Sequence, residues 1–338
     1  MPLYGVIDLG SNSVRLVVYR VREDACAPFT KRSFKSLINE KKIVGLSAYV
    51  EDGLFTDAGV ARAAEVLDDH LRHARNIGCT DVRIFATAVL RNCENSAEAT
   101  AALSKAVEAP IDVLSARDEA HLGFVGATCD RVIERGTLID IGGGSTELTA
   151  IAGGVDTRGV SVPQGSVSSY AQFVDRILPT PDEMHAIEDA FREKLCALGE
   201  GGGTLGSSAA LGVGANASTS AASASSAAAL APFRSTRLYG IGGATRAALK
   251  TYNAAFGVNP AAPKSLNLHQ LDALLTLLAR DPHTFSHTAV RAVPERLHTL
   301  VPGCLIAITL MRELGAQTLE ICRYGVREGY LIKRILEA

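Results

Sequence analysis

The run VIDLGSNSVRLVVY at residues 6–19 returns in altered form as LIDIGGGSTELTAI at 138–151. Ile7, Asp8, Gly10, Ser13 and Leu16 recur as Ile139, Asp140, Gly142, Ser145 and Leu148, all in one register. Each copy reads as an apolar strand ending in Asp, a tight turn of Gly, Ser and Asn, then a second strand of alternating character. Such a turn gathers backbone N–H groups and hydroxyls around one point, which suits an anion, and the Asp at the strand end suits a divalent cation. Duplication therefore predicts two similar halves whose turns grip a phosphate chain from both sides.

The chain has 338 residues, 47% hydrophobic and 21% charged, enough for two cores of ordinary domain size. A formal net charge of −2 argues against a protein that coats nucleic acid. One local basic stretch stands out at positions 20–42, where Arg20, Arg22, Lys31, Arg32, Lys35, Lys41 and Lys42 outnumber Glu23, Asp24 and Glu40. It fits either a solvated hairpin or a groove for a polyanion. Cys26, Cys79, Cys93, Cys129, Cys196, Cys304 and Cys322 are scattered, without a C-x-x-C pair, which fits reduced thiols. No basic leader precedes the first strand, and the apolar run LVPGCLIAITLM is interrupted by Pro302 and Gly303. A soluble, cytoplasmic protein without a membrane partner is the expectation.

Periodicity places helices over 56–76, 95–109, 166–177, 182–198, 243–253, 267–280 and 300–314, with strands at 81–89, 111–115, 237–242 and 318–325 and a terminal helix. Alternating strands and helices define the fold class as α/β. At about 200–232 the chain is almost wholly Gly, Ala and Ser and is expected to be a flexible insertion without a catalytic role. A third glycine turn, YGIGGATRAAL, again joins a strand to a helix; it serves anion binding at a helix start or close helix packing equally well.

Two hairpins and this third turn resemble the actin-like superfold (actin, Hsp70, sugar kinases), two duplicated ribonuclease H-like lobes with a cleft between them. Further motifs narrow the resemblance. FATAVLRNCEN, RDEAHLGFVG, ERLHTLVPG and GVREG, together with DLGSNS and DIGGGSTE, are similar to those of the exopolyphosphatase and guanosine pentaphosphate phosphohydrolase (Ppx/GppA) family, in its short two-domain branch. The resemblance runs nearly end to end. It implies a first lobe at 1–124 with a terminal helix at about 326–338 packed back on it, and a second lobe at 125–325.

Residue roles follow from that resemblance. Glu119 matches the general base that takes a proton from the attacking water, with Asp118 as second choice; a helix N-terminal carboxylate is the plain structural alternative. Asp140 and Glu147 match the holders of Mg²⁺ or another divalent cation, and Asp8 the symmetric acid that holds metal-bound water; a surface acid pair is the alternative for the first two. Ser11, Asn12, Ser13, Gly143, Gly144, Ser145 and Thr146 would donate to phosphate oxygens, as would Arg91, whose alternative is a surface salt bridge. Gly242, Gly243 and Ala244 would approach the substrate by backbone alone. Arg327 and Glu328 fit a substrate role or a structural pair tying the terminal helix to the first lobe. His121, His298, Ala244 and Ala116 depart from the family pattern, which bears on substrate preference and pH dependence.

The implied activity is hydrolysis of terminal phosphates from inorganic polyphosphate by metal-assisted in-line attack of water, with guanosine pentaphosphate as the alternative substrate. A kinase of the same superfold and a non-catalytic polyphosphate or alarmone sensor are the rivals. Glu119 favours water as nucleophile over a kinase acceptor, and a pure binder has no need of a base beside two acids. No nucleic-acid partner is implied, and a homodimer is left open.

Overall fold

Val6 and Ile7 are neighbours in sequence, yet each is fully buried in a different apolar cluster. A strand turns successive side chains to opposite faces, so this strand must lie in a sheet covered on both sides. In a computed structural model of the chain, the described residues are 1–198, 228–259 and 261–338. The expected Gly/Ala/Ser insertion falls mainly on 199–227, outside them. Two compact units result: Met1–Ile133 with Cys322–Ala338, and Glu134–Ile321. The division at 124/125 read from the sequence would cut the helix Ala116–Thr128.

In the first unit a five-stranded sheet runs Phe34–Ile43, Ser13–Val21, Leu3–Leu9, Asp81–Ala86, Ile111–Val113. The first three strands in chain order form an antiparallel meander, and the last two continue parallel to Leu3–Leu9. Helix Asp57–Ile77 covers one face through Leu67 and Leu71, packed with Ile7, Leu9 and Ile84. The other face buries Val6, Val17, Tyr19 and Phe85 with Leu122, Tyr330 and Leu331. Of the basic stretch, Lys35, Lys41 and Lys42 lie on the edge strand Phe34–Ile43, where Lys42 bonds Asp69 at 2.7 Å.

The second unit repeats the order. Its six-stranded sheet runs Val155–Val162, Thr146–Ala152, Arg135–Ile141, Arg237–Ile241, Thr318–Ile321, Ser265–Leu266. Again three strands form an antiparallel meander and two follow in parallel; only the last, antiparallel edge pair is additional. The sequence echo is therefore an echo of topology, two ribonuclease H-like units of the actin-like α/β class.

One local expectation is corrected: the strand expected at 81–89 stops at Ala86 and gives way to a short helix, Ala88–Arg91. The helix expected at 300–314 is present as Leu297–Leu314, with Pro302 inside it. That helix, from Pro294, is long and apolar enough to cross a membrane, but 78% of its apolar window is buried in the fold. It is the central core helix of the second unit.

Candidate active site

In each unit the acids and the glycine turns lie where parallel strands end, which is where open α/β sheets bind ligands. In the first unit Asp8 closes the strand Leu3–Leu9, Thr87 follows Asp81–Ala86, and Ser115 follows Ile111–Val113. Thr87 leads into the one-turn helix whose last residue is Arg91, and Ser115 caps the helix that carries Glu119. Three consecutive parallel strands thus deliver Asp8, Arg91 and Glu119 to the same edge of one sheet.

Arg91 and Glu119 form an ion pair, and Arg91 Nη1 also donates to the Leu114 carbonyl at 3.2 Å. Glu119 is 8% exposed, so the surface-bridge reading of Arg91 fails. Asp118 and Glu119 both lie in the first turn of this helix, and Asp118 is the one bonded to the cap. Ser115 Oγ accepts from the Asp118 amide at 3.0 Å and donates to its carboxylate at 2.7 Å, and Asp118 reaches Arg334 at the surface. The helix start is therefore satisfied without Glu119, which is left to the Arg91 side.

The turn after Asp8 is tied from its carbonyl side. Gly10 N–H donates to Ser13 O at 3.1 Å, Val44 and Gly45 donate to Asn12 O, and Ser47 donates to Ser11 O at 2.9 Å. Among the described residues the N–H groups of Ser11 and Asn12 donate to no carbonyl, as an anion cradle requires. Asp8 is bound by Arg327, Oδ2 to Nη1 2.8 Å.

In the second unit Asp140 and Glu147 are direct cross-strand partners. Glu147 is 3% exposed, which rules out a surface acid pair. Its Oε1 accepts from Ser145 Oγ at 2.6 Å and from Ser161 Oγ at 2.8 Å. The hydroxyl of Ser145 is thus committed to Glu147. That of Thr146, a fully buried residue, is committed to the Gln164 carbonyl at 2.7 Å. Only their backbone atoms remain for phosphate. Gly143 O accepts from Val167 and Ser168 at the start of helix Ser166–Phe173, while the N–H groups of Gly143 and Gly144 donate to no carbonyl among the described residues.

The third turn requires a glycine at 242. Gly242 has φ +79°, and a Cβ there would overlap Asp140 Oδ1; one at Gly243 would overlap the guanidinium of Arg296. Both residues open the helix Gly242–Phe256, whose first N–H groups have no partner within the helix. The methyl group of Ala244, the third residue of that helix, is buried in the core of the second unit, which leaves its backbone for the role expected of it. Arg296 brings a cation to this helix start; its place inside ERLHTLVPG gave no sign of that role. Ser161 carried no sequence signal. The departing His298 packs edge-on against Tyr170, ring centroids 5.1 Å apart.

Twin meanders, each ending its first strand on an acid before a glycine turn, place the chain among the actin-like α/β proteins that handle phosphoryl groups. Within that class it belongs to the Ppx/GppA phosphatase family, which matches residues 17–338, and it is a hydrolase of phosphoric anhydrides. It is 25% identical over 344 residues to Exopolyphosphatase 1 of Mycobacterium leprae (strain TN), covering 98% of this chain and 89% of that one. Exopolyphosphatase 1 of Mycobacterium tuberculosis (strain ATCC 25618 / H37Rv) is 24% identical over 341 residues, covering 98% and 88%. The crystal structure of an exopolyphosphatase from Cytophaga hutchinsonii ATCC 33406 superposes with TM-score 0.78 at 19% identity, covering 99% and 98%. A Ppx/GppA family member from Aquifex aeolicus gives 0.68 at 19%, with the same coverage. These structural likenesses establish the fold.

Proposed function

We propose that the chain is an exopolyphosphatase: water attacks the terminal phosphorus of inorganic polyphosphate in line and releases orthophosphate. The observation that carries this reading is the buried Glu119, paired with Arg91 while Asp118 bonds the Ser115 cap. Glu119 accepts the proton of the attacking water. Arg91 has a fork of five N–H donors, so the same side chain can hold the carboxylate and meet a phosphate oxygen. In the first unit the N–H groups of Ser11 and Asn12, and in the second those of Gly143 and Gly144 and of the helix start at Gly242 and Gly243, are donors for phosphate oxygens.

The donor set of the second unit suits Mg²⁺. Asp140 and Glu147 are hard oxygen ligands opposed across one strand pair, an arrangement of like charges that a cation relieves. Mg²⁺ takes one or two carboxylates, substrate phosphates and water. Bound there, it would neutralise charge on the phosphate oxygens. Asp8 contributes through water. The seven cysteines are free thiols, and burial pushes the thiols of Cys129 and Cys304 up to about 12. That suits a reducing cytoplasmic setting and leaves these two thiols inert.

Orthophosphate release from long-chain polyphosphate, with Mg²⁺ and then with excess chelator, tests the proposal. Release that stops on chelation, with kcat/KM for polyphosphate at least about tenfold above that for guanosine pentaphosphate, is the expected result. The reverse ranking would make the nucleotide the substrate, and no release from either would refute hydrolysis.

A further inference from the structure

The C-terminal segment carries a charged chain of contacts that the reaction as described does not use. Arg327 Nη1 meets Asp8 Oδ2 at 2.8 Å, with both side chains mostly shielded, at 19% and 22% exposure. The next residue, Glu328, accepts from Tyr19 OH at 2.6 Å through Oε1 and from Gly325 N–H at 2.9 Å through Oε2. Tyr19 is fully buried and packs edge-on against Phe34. The short helix Val326–Tyr330 lies on Ala116–Thr128 so closely that a Cβ at Gly126 would overlap the Gly325 carbonyl, and one at Gly329 the Leu122 carbonyl. Arg327 is therefore placed by backbone contact with the helix that bears Glu119.

This placement is electrostatic as well as steric. Burial acts to lower the pKa of Arg327, but Asp8, Glu328 and Tyr19 outweigh it and hold the guanidinium firmly cationic. The second carboxylate oxygen of Asp8, Oδ1, lies 3.8 Å from where a Cβ on Gly10 would stand, at the phosphate turn. An uncompensated carboxylate at that position repels the phosphate that the turn is built to bind.

We infer that Arg327 is a positioning residue for the phosphate site. It takes one oxygen of Asp8, cancels that acid's charge beside the turn and leaves the other oxygen directed at it, while Glu328 and Tyr19 hold the helix that delivers the guanidinium. The inference rests on the proposed function only for its choice of ligand class, a phosphate chain.

Equilibrium binding of tripolyphosphate in the presence of chelator, read by calorimetry, tests it without turnover. Arg327→Met is expected to weaken binding by about tenfold, the effect of one screened charge contact. Adding Asp8→Asn to that variant is expected to bring binding back to within about threefold of wild type, because the carboxylate that needed compensation is gone. Asp8→Asn alone, which leaves Arg327 uncompensated, is expected to bind more tightly than wild type, and Arg327→Lys to bind within about threefold of it. A purely structural role for Arg327 reverses these signs. The inference is overturned if the double variant is as weak as Arg327→Met or if Asp8→Asn alone binds more weakly. Should Arg327→Met not fold, Asp8→Asn and Arg327→Lys decide the matter. A wild type that fails to bind tripolyphosphate also overturns it; one that binds but releases no phosphate from polyphosphate overturns the proposed function alone.

Discussion

Glu119→Gln is expected to lower orthophosphate release from polyphosphate by about 10²- to 10⁴-fold, the range for loss of a positioned general base. The substitution is chosen to spare the fold. A glutamine amide oxygen still accepts from Arg91, whereas alanine would remove the acid paired with a largely shielded guanidinium, and breaking a buried pair costs about 3–5 kcal/mol. Binding of tripolyphosphate by Glu119→Gln is expected to be retained or strengthened, since the amide removes a negative charge near the substrate without removing a donor to it. Asp118→Asn is the matched control. Asp118 meets only Ser115 and the exposed Arg334, so its release rate should stay within about threefold of wild type. Equal losses in the two variants would show that either carboxylate can serve, and the burial of Glu119 would lose its meaning.

Gly242→Ala carries the second large effect. With φ +79°, an L-residue at this position stores about 1–3 kcal/mol of backbone strain, and its Cβ would occupy the place of Asp140 Oδ1. Either the third turn or the Asp140 carboxylate must shift. A displacement of about 1 Å in a catalytic group is enough for about a 10²-fold loss of rate. The variant is therefore expected to lose about 10²-fold in kcat at saturating Mg²⁺ and to need more Mg²⁺ for half-maximal release. Gly243→Ala is the milder neighbour. Its Cβ meets the end of the long Arg296 side chain, which can move aside, and its φ is not positive. Similar losses at both positions would mean that the turn, not the carboxylate, carries the effect.

How much of the molecule is legible in its sequence depends on the range over which each signal acts. The two hairpins are readable because a strand, an acid and a glycine turn are local, and their recurrence at Asp8 and Asp140 exposes the duplication from the sequence alone. Helix Asp57–Ile77 is also readable: Thr56 accepts from Gly59 N–H at its start, and Gly78 closes it in the left-handed region. Helix Pro282–Ala292 escapes a reading by periodicity although Asp281 and Pro282 announce it. The Asp281 carboxylate accepts from Thr284 N–H at 3.0 Å, and proline suits the first helical position. The strand Phe34–Ile43 is obscured by its charges, which an edge strand tolerates.

The site divides along the same line. Family motifs single out Glu119 and Arg91, but nothing local says that they pair, because their strands meet only in the parallel order of the sheet. The Arg327 to Asp8 bridge joins opposite ends of the chain. The overlap that a Cβ on Gly126 would make with Gly325 is likewise a property of packing, and no periodicity reports it. The family resemblance makes Ser145 and Thr146 phosphate donors, while their hydroxyls bond Glu147 and the Gln164 carbonyl inside the fold, since a buried hydroxyl takes the nearest acceptor.

Attack of water on the terminal phosphorus of a phosphate chain is tested by turnover of polyphosphate in ¹⁸O-enriched water, followed by mass analysis of both products. One ¹⁸O atom is expected in each orthophosphate released and none in the shortened chain. Label in the shortened chain, or release of unlabelled orthophosphate, would contradict it.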